Sequence, residues 1–219
     1  ETLLLPAGVD ASRDNQGFLM NRQKDTNALN LHAIQATDGG TPGQGAQGMY
    51  VDVKSPLEIG TNDYSVSFWA KTSKWDQQYI ISQWGDSTHR WYIRGTGTNL
   101  QHYHKIGGNQ YSDYDTTDHT GADYVNKWVH VILSVDRDVG IAWYINGDAS
   151  STNTSSDITN RASDDLSNGG NVTIGWDEDT SFDDHAFDGQ IDDLYVYIGK
   201  ALSADEAKRN YNAGKRSHR

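Results

Sequence analysis

Cysteine is absent from all 219 residues, so neither disulfides nor thiolate metal sites are available to this chain. No uninterrupted run of about 18 apolar residues occurs, and without one no helix spans a membrane. Basic charge is short: 18 Lys and Arg face 30 Asp and Glu, a formal net charge of -12. Double-stranded nucleic acid is a poor partner for such a chain, because affinity there comes largely from cations neutralising phosphate. An anionic membrane surface is a poor partner by the same argument. Long Leu-rich periodic stretches are missing too, which speaks against a helical bundle. The opening residues, ETLLLPAGVD, lack the basic end and long apolar stretch of a signal peptide. The chain therefore reads as an excised module or a mature product, with any export signal outside it. A cysteine-free composition rich in Asp, Asn, Gly and Thr fits a bacterial exported protein.

What is present points to sheet. Seven Trp and 12 Tyr stand against four Phe and two Met. Trp and Tyr combine a wide apolar body with a polar edge, which suits sheet faces and sugar or interface platforms. Residues 1–47 are polar and irregular, with edge strands at most in Thr2–Leu5 and Leu29–Ile34. From Met49 the pattern sharpens. Tyr64, Val66, Phe68 and Ala70 alternate with Ser65, Ser67, Trp69 and Lys71, the period of a half-buried strand. Further strands are expected at Tyr79–Trp84, Arg90–Arg94, Asn99–His104, Trp128–Asp136, Gly140–Ile145, Asn171–Gly175 and Gln190–Tyr197. Asn146-Gly147 tolerates positive φ, as a tight hairpin requires. Gly189 permits a close backbone approach or a bulge. One helix is expected, over Ala204–Asn212: Ser203 to Glu206 forms a capping box, and Gly214 reads as its stop. The tail 215–219 is basic and expected to fray. Many short strands with Gly, Asn and Asp turns make one all-β sandwich domain, its core about residues 48–213.

The segments WVHVILSVDRDVGIAWYINGD, NVTIGW and FDGQIDDLYVYIGKALSADEAKRNYNAG resemble the bacterial laminin-G-like domains of the concanavalin A-like lectin/glucanase superfamily. The likeness covers roughly residues 48–213 and is most specific in the last third. It implies a two-sheet antiparallel jelly-roll sandwich with one short C-terminal helix.

Two acidic segments invite a cation. Residues 177–184 carry five carboxylates (Asp177, Glu178, Asp179, Asp183 and Asp184) in a loop between strands. Like charges so close repel, and Ca2+ takes six to eight oxygen ligands from such loops. The segment also resembles the calcium loop of the pentraxins, which implies Asp177, Glu178 and Asp179 as ligands. It departs from that pattern at Thr88-His89-Arg90, where Asp86 is the nearest acid, and at His185, where pentraxins place a Gln. A merely solvated acidic loop is the alternative. The second segment, Ser112–Asp123, would let Asp113, Asp115 and Asp118 share a calcium, or line a sugar groove with Tyr111 or Tyr114. It is not an EF-hand, since Tyr124 stands where that loop needs Glu. In the laminin-G-like resemblance, one of Asp192 and Asp193 holds a structural calcium; the alternative is a hydrogen bond to a neighbouring loop.

Trp75, Trp84, Trp91 and Tyr92 are platform candidates, with Trp75, beside Lys74 and Asp76, expected in an exposed loop. Asp86, His89 and His185 join Trp75, Tyr111 and Tyr114 as candidate ligand contacts. His102 and His104 share a strand face, but two histidines without a third ligand do not make a metal site. No Glu-x-Asp-x-x-Glu run, Gly-x-Ser-x-Gly elbow, zinc motif or phosphate loop is found, so no catalytic residue is assigned. The expectation is a non-catalytic, calcium-dependent module, secreted or on a cell surface. It would be a monomeric part of a larger chain that binds glycan or peptide, without nucleic acid or membrane insertion. A spacer domain with only a structural calcium is the alternative, and a polysaccharide-active hydrolase or lyase a further one.

Overall fold

The structure, a computed structural model, describes residues 2–4, 29–31, 51–53, 55–154, 157–177 and 186–219. Two antiparallel sheets form the jelly-roll sandwich. The first runs in the order β1 (Thr2–Leu4), β14 (Gly189–Ile198), β4 (Tyr64–Thr72), β9 (Val129–Asp136), β10 (Gly140–Ile145), β11 (Asp148–Ser150). Strand β2 (Leu29–Leu31) also pairs with β14. The second runs β12 (Thr152–Thr154), β8 (Asn109–Asp115), β7 (Leu100–Ile106), β6 (His89–Gly95), β5 (Tyr79–Asp86), β13 (Val172–Ile174), β3 (Val51–Asp52). A turn of 3-10 helix at Ile158–Arg161 and helix α1 (Ala204–Gly214) complete the described elements.

Alternation decides which residues fill the core. In β4, Tyr64, Val66, Phe68 and Ala70 face inward, beside Val129, Val131, Leu133 and Val135 of β9. Opposite them lie Ile81, Trp91, Ile93, Leu100, Val172 and Ile174 of the second sheet. The expected hairpin forms between β9 and β10, and Asn146 and Gly147 both hold positive φ at the turn that follows (54° and 81°). Gly189 allows a close approach: a Cβ there would lie 2.2 Å from the Lys71 carbonyl oxygen. The segment 112–123 is not all loop, because β8 runs to Asp115.

Helix α1 carries the expected capping box, with Ser203 Oγ accepting from Glu206 N and the Glu206 carboxylate accepting from Ser203 N. It does not stop before Gly214. That glycine is its last residue and serves packing, since a Cβ would meet the Trp69 indole nitrogen at 2.5 Å. The helix thus lies on the outward side of the first sheet, where Leu202 and Ala207 cover Ile132 and Tyr144, and Tyr211 stacks on Trp69 (5.7 Å, 25°).

The tail is held rather than frayed. The His218 ring lies flat on Trp69 (4.2 Å, 3°), edge-on to Trp128, and bonds Gly214 O and Asp192 Oδ2 at 2.9 and 3.0 Å. Burial pulls the imidazole pKa down, but the hydrogen bonds to Asp192 and the Gly214 carbonyl outweigh it, and the net shift is upward. A raised folded pKa gives stability that is complete below the unfolded value near 6.5 and lost as pH rises through the folded value. His218→Ala is therefore expected to cost about 1–2 kcal/mol at pH 5.5 and clearly less at pH 8.5. Urea unfolding followed by Trp emission measures both; an equal cost at the two pH values would show that the charge plays no part.

Candidate functional site

On the first sheet, α1 covers the outward side around Ile132, Tyr144 and Trp69. The second sheet carries its polar chemistry outward in ladder rows. Register places Tyr92 opposite Tyr103 and Ser82, and Tyr103 opposite Ser112. On one side runs Tyr79, Arg94, Gln101, Tyr114; on the other, Trp84, Arg90, Lys105, Gln110. Tyr92 and Tyr103 stack (4.8 Å, 13°), and Tyr79 meets Tyr92 edge to face (4.9 Å, 78°). Arginines layer over the rings: Arg90 lies 4.3 Å from the Trp84 ring centre, and Arg94 lies 5.3 Å from that of Tyr92. Arg94 also donates to Gln101 Oε1 (2.7 Å) and Gln77 Oε1 (3.1 Å). The three tyrosines are buried, whereas Trp84, Arg90, Arg94, Lys105 and Tyr114 are half-buried. Burial, and then the neighbouring Asp177 carboxylate, pushes the Tyr79 hydroxyl far up in pKa, and that hydroxyl bonds Asp177.

The inward positions of the same strands hold an unexpected polar group. His102 Nε2 lies 2.7 Å from the Tyr64 hydroxyl, and His104 Nε2 lies 3.0 Å from Asp164 Oδ2. Arg161 pairs with the same Asp164 oxygen at 2.6 Å, and Arg137 donates to the Asp164 carbonyl. Trp143 Nε1 donates to Asp113 Oδ1 at 2.5 Å. Burial drives both imidazoles down in pKa, so they are neutral at pH 7. Burial also raises Asp113 to about 7, with the Trp143 bond opposing and Asp115 adding to the rise.

These positions correct several expectations. Trp75 is not exposed: it is 2% accessible, its backbone bridges Gly97, and its indole packs on His119 and Phe187. Tyr111 is inside the sandwich, stacked on His104, and cannot line a groove. Trp91 is core as well. Asp113, Asp115 and Asp118 do not share a site. Asp115 is consumed by Leu100 N, Thr117 N and His119 Nε2 at 2.6, 3.0 and 3.0 Å, and exposed Asp118 caps the turn at Thr120. Asp86 accepts from Thr88 Oγ1, Thr88 N and His89 N, closing the β5–β6 hairpin, and the Thr88 hydroxyl and then its amide hold the carboxyl down to about 2. Asp192 faces His218, while Asp193 is exposed at a bulge with φ 47°.

Tyr114, Trp84 and Tyr92 do reach the outward face of the second sheet, and Tyr114 accepts from Gln101 Nε2 at 2.7 Å. Arg90, Arg94, Tyr103 and Lys105 were not singled out by the sequence reading. The signal was present in Arg90-Trp-Tyr-Ile-Arg94, where Trp91 and Ile93 take the core and leave Arg, Tyr and Arg outside. Asp177 is fully buried at the end of β13. Glu178, Asp179, Asp183, Asp184 and His185 lie outside the described residues. Among the described residues, no group of three or more His, Asp and Glu stands together as a metal site.

Residues 44–208 match the model of the concanavalin A-like lectin/glucanases superfamily, of the laminin-G type, and the chain belongs to that family. No curated protein matches the sequence. Among solved structures, the binding domain of Paraclostridial Mosquitocidal Protein 1 is similar at 17% identity and a TM-score of 0.58, over 85% of this chain and 46% of that one. The botulinum neurotoxin serotype G binding domain follows at 18% and 0.54, over 75% and 40%. The receptor binding domain of botulinum neurotoxin D stands at 21% and 0.54, over 75% and 41%. At these identities the likeness is one of fold, and this chain spans less than half the length of each.

Proposed function

We propose that this chain is a non-catalytic binding module that takes a glycan or peptide on the outward face of its second sheet. The observation that carries this reading is the set of ladder rows on β5 to β8: half-buried arginines layered on Trp and Tyr, flanked by Gln and Ser. Such rows offer ring faces, fixed amide and hydroxyl partners and a stiff sheet beneath them, which favours recognition with little ordering cost. Cleavage of a glycosidic bond needs two carboxylates about 5–9.5 Å apart across the substrate. These strands supply one exposed carboxylate, Asp86 at the turn end of β5, and it is taken up by Thr88 and His89. The similar solved structures are binding or receptor binding domains, which supports a module of this kind.

A secreted or cell-surface setting is part of the proposal, as is calcium. Support for the metal is the run of carboxylates that begins at Asp177. The described residues do not by themselves make a cage for it. Screening the chain and Trp84→Ala on glycan and peptide arrays, with and without chelator, tests the reading. Binding weakened about tenfold or more by Trp84→Ala is expected, since a stacked aromatic is commonly worth 1–3 kcal/mol. Binding indifferent to that change would move the site elsewhere, and binding indifferent to chelator would remove calcium.

A further inference from the structure

We propose that the ligand of this face is an acidic glycan, with Arg94 receiving a carboxylate and Lys105 meeting a further acidic group along the same saccharide. This deepens the binding-module reading and rests on it.

The charge distribution is the first support. In a chain with 30 acids against 18 basic residues, the outward positions of β6 to β8 and of β5 from Tyr79 to Trp84 hold Arg90, Arg94 and Lys105 and no acid, with Asp86 at the turn end of β5 and Asp177 beside Tyr79. Such a reversal is not needed for solubility, which the net charge of -12 already serves.

The second support is how Arg94 is held. Its two hydrogen bonds go to the neutral oxygens of Gln77 and Gln101, and its guanidinium lies over Tyr92 and Tyr79 at 5.3 and 5.7 Å. Among the described residues no carboxylate pairs with Arg94 or Lys105. Asp177, which adjoins this row, is bonded by the Tyr79 hydroxyl. A guanidinium has five N–H donors; the bonds from Nε and one Nη1 hydrogen leave both Nη2 hydrogens and the other on Nη1. That fork is oriented by its neighbours and has no direct carboxylate partner among the described residues, the arrangement that suits two parallel bonds to a carboxylate.

The third support is spacing. Lys105 pairs opposite Arg90, four ladder positions from Arg94, so the two cations stand about 13 Å apart along the strands. A single sugar meets only one of them, so the arrangement suits an oligomer with repeated acidic groups. The intervening Tyr, Ser and Gln side chains offer ring surface and hydrogen bonds to hydroxyls, which a glycan uses more fully than an acidic peptide.

Calorimetric titration of the full chain with a uronate hexasaccharide, with its methyl ester and with poly-glutamate tests this. The ester keeps the shape and removes the charge. The acid form is expected to bind at least about tenfold tighter than the ester, and more weakly as salt rises. Arg94→Gln and Lys105→Gln are each expected to lose about fivefold or more for the acid form and clearly less for the ester. Lys105, with no described partner, keeps the test independent of any effect of Arg94 on folding. Equal binding of acid and ester, no binding of the acid form, or poly-glutamate binding as tightly as the saccharide would each overturn the proposal. Array hits for neutral glycans that depend on Trp84 would then leave the binding module standing, whereas arrays without any hit would remove both.

Discussion

Asp115→Ala is expected to cost about 3–5 kcal/mol, a large share of the stability of a domain this size. The carboxylate is fully buried and accepts from two backbone N–H groups and from His119, tying the end of β8 to the start of β7 and to the loop that follows. Its removal leaves two amides and a buried imidazole without an acceptor, and each such orphan is expensive. Urea unfolding measures the loss, and Asp115→Asn should recover part of it, since an amide oxygen still accepts one of the bonds. Millimolar calcium should change neither result. If calcium restored the stability of wild type over a chelated sample, and did so only with Asp115 intact, this carboxylate would be a ligand after all.

Asp113→Asn is expected to act in the opposite direction, and through pH. Burial raises Asp113 to about 7 against an ordinary 3.8. With the folded pKa above the unfolded one, the protonated acid contributes stability that is full below about 3.8 and lost as pH rises through about 7. A shift of this size corresponds to about 4 kcal/mol across that window. Asn keeps an acceptor for the Trp143 indole and does not titrate. The variant should therefore gain on the wild type by about 3–4 kcal/mol between pH 4 and pH 8, and unfolding free energies at those two pH values provide the check. A constant difference would mean that Asp113 keeps its charge state throughout. His130, pushed down to about 4 by burial and by His218, titrates in both proteins alike and cancels in the comparison.

The strands with an apolar side were legible in the sequence, and those without one were not. In β4 the alternation of Tyr64, Val66, Phe68 and Ala70 with Ser65, Ser67 and Lys71 states its own orientation. In β7 and β8 it does not. Leu-Gln-His-Tyr-His-Lys-Ile and Asn-Gln-Tyr-Ser-Asp-Tyr-Asp are polar on both sides, so period two gives no indication of which half turns inward. The structure turns His102, His104, Tyr111 and Asp113 toward the other sheet, and Gln101, Tyr103, Ser112 and Tyr114 to the outward face. Tyr111 and Asp113 were misplaced for that reason. Trp75 fails differently: its charged neighbours suggest a loop surface, and only a bridge to Gly97, distant in sequence, takes it under cover. Gly214 shows a third limit, because a glycine that ends a helix and one that admits an indole read alike. The platform residues were half visible, with Trp84 and Tyr92 picked out by type, whereas Arg90 and Arg94 needed the register of β6 against β7 to be seen as one surface.

The place of β14 in the first sheet governs when this molecule can exist. The strand is the last in the chain, yet it lies inside its sheet, with β4 on one side and β1 and β2 along the other. Until residues 189–198 leave the ribosome, β4 has one flank bare and β1 has nothing to pair with. Helix α1 and His218, which shield Trp69, emerge later still. At about 5–20 residues per second the earlier strands of the domain all emerge before the sandwich can close, and pairing between β14 and β1 is slow by nature. Nascent copies thus depend on whatever keeps unpaired strands from meeting one another, and a copy cut short before residue 189 is expected to aggregate rather than persist as a smaller domain.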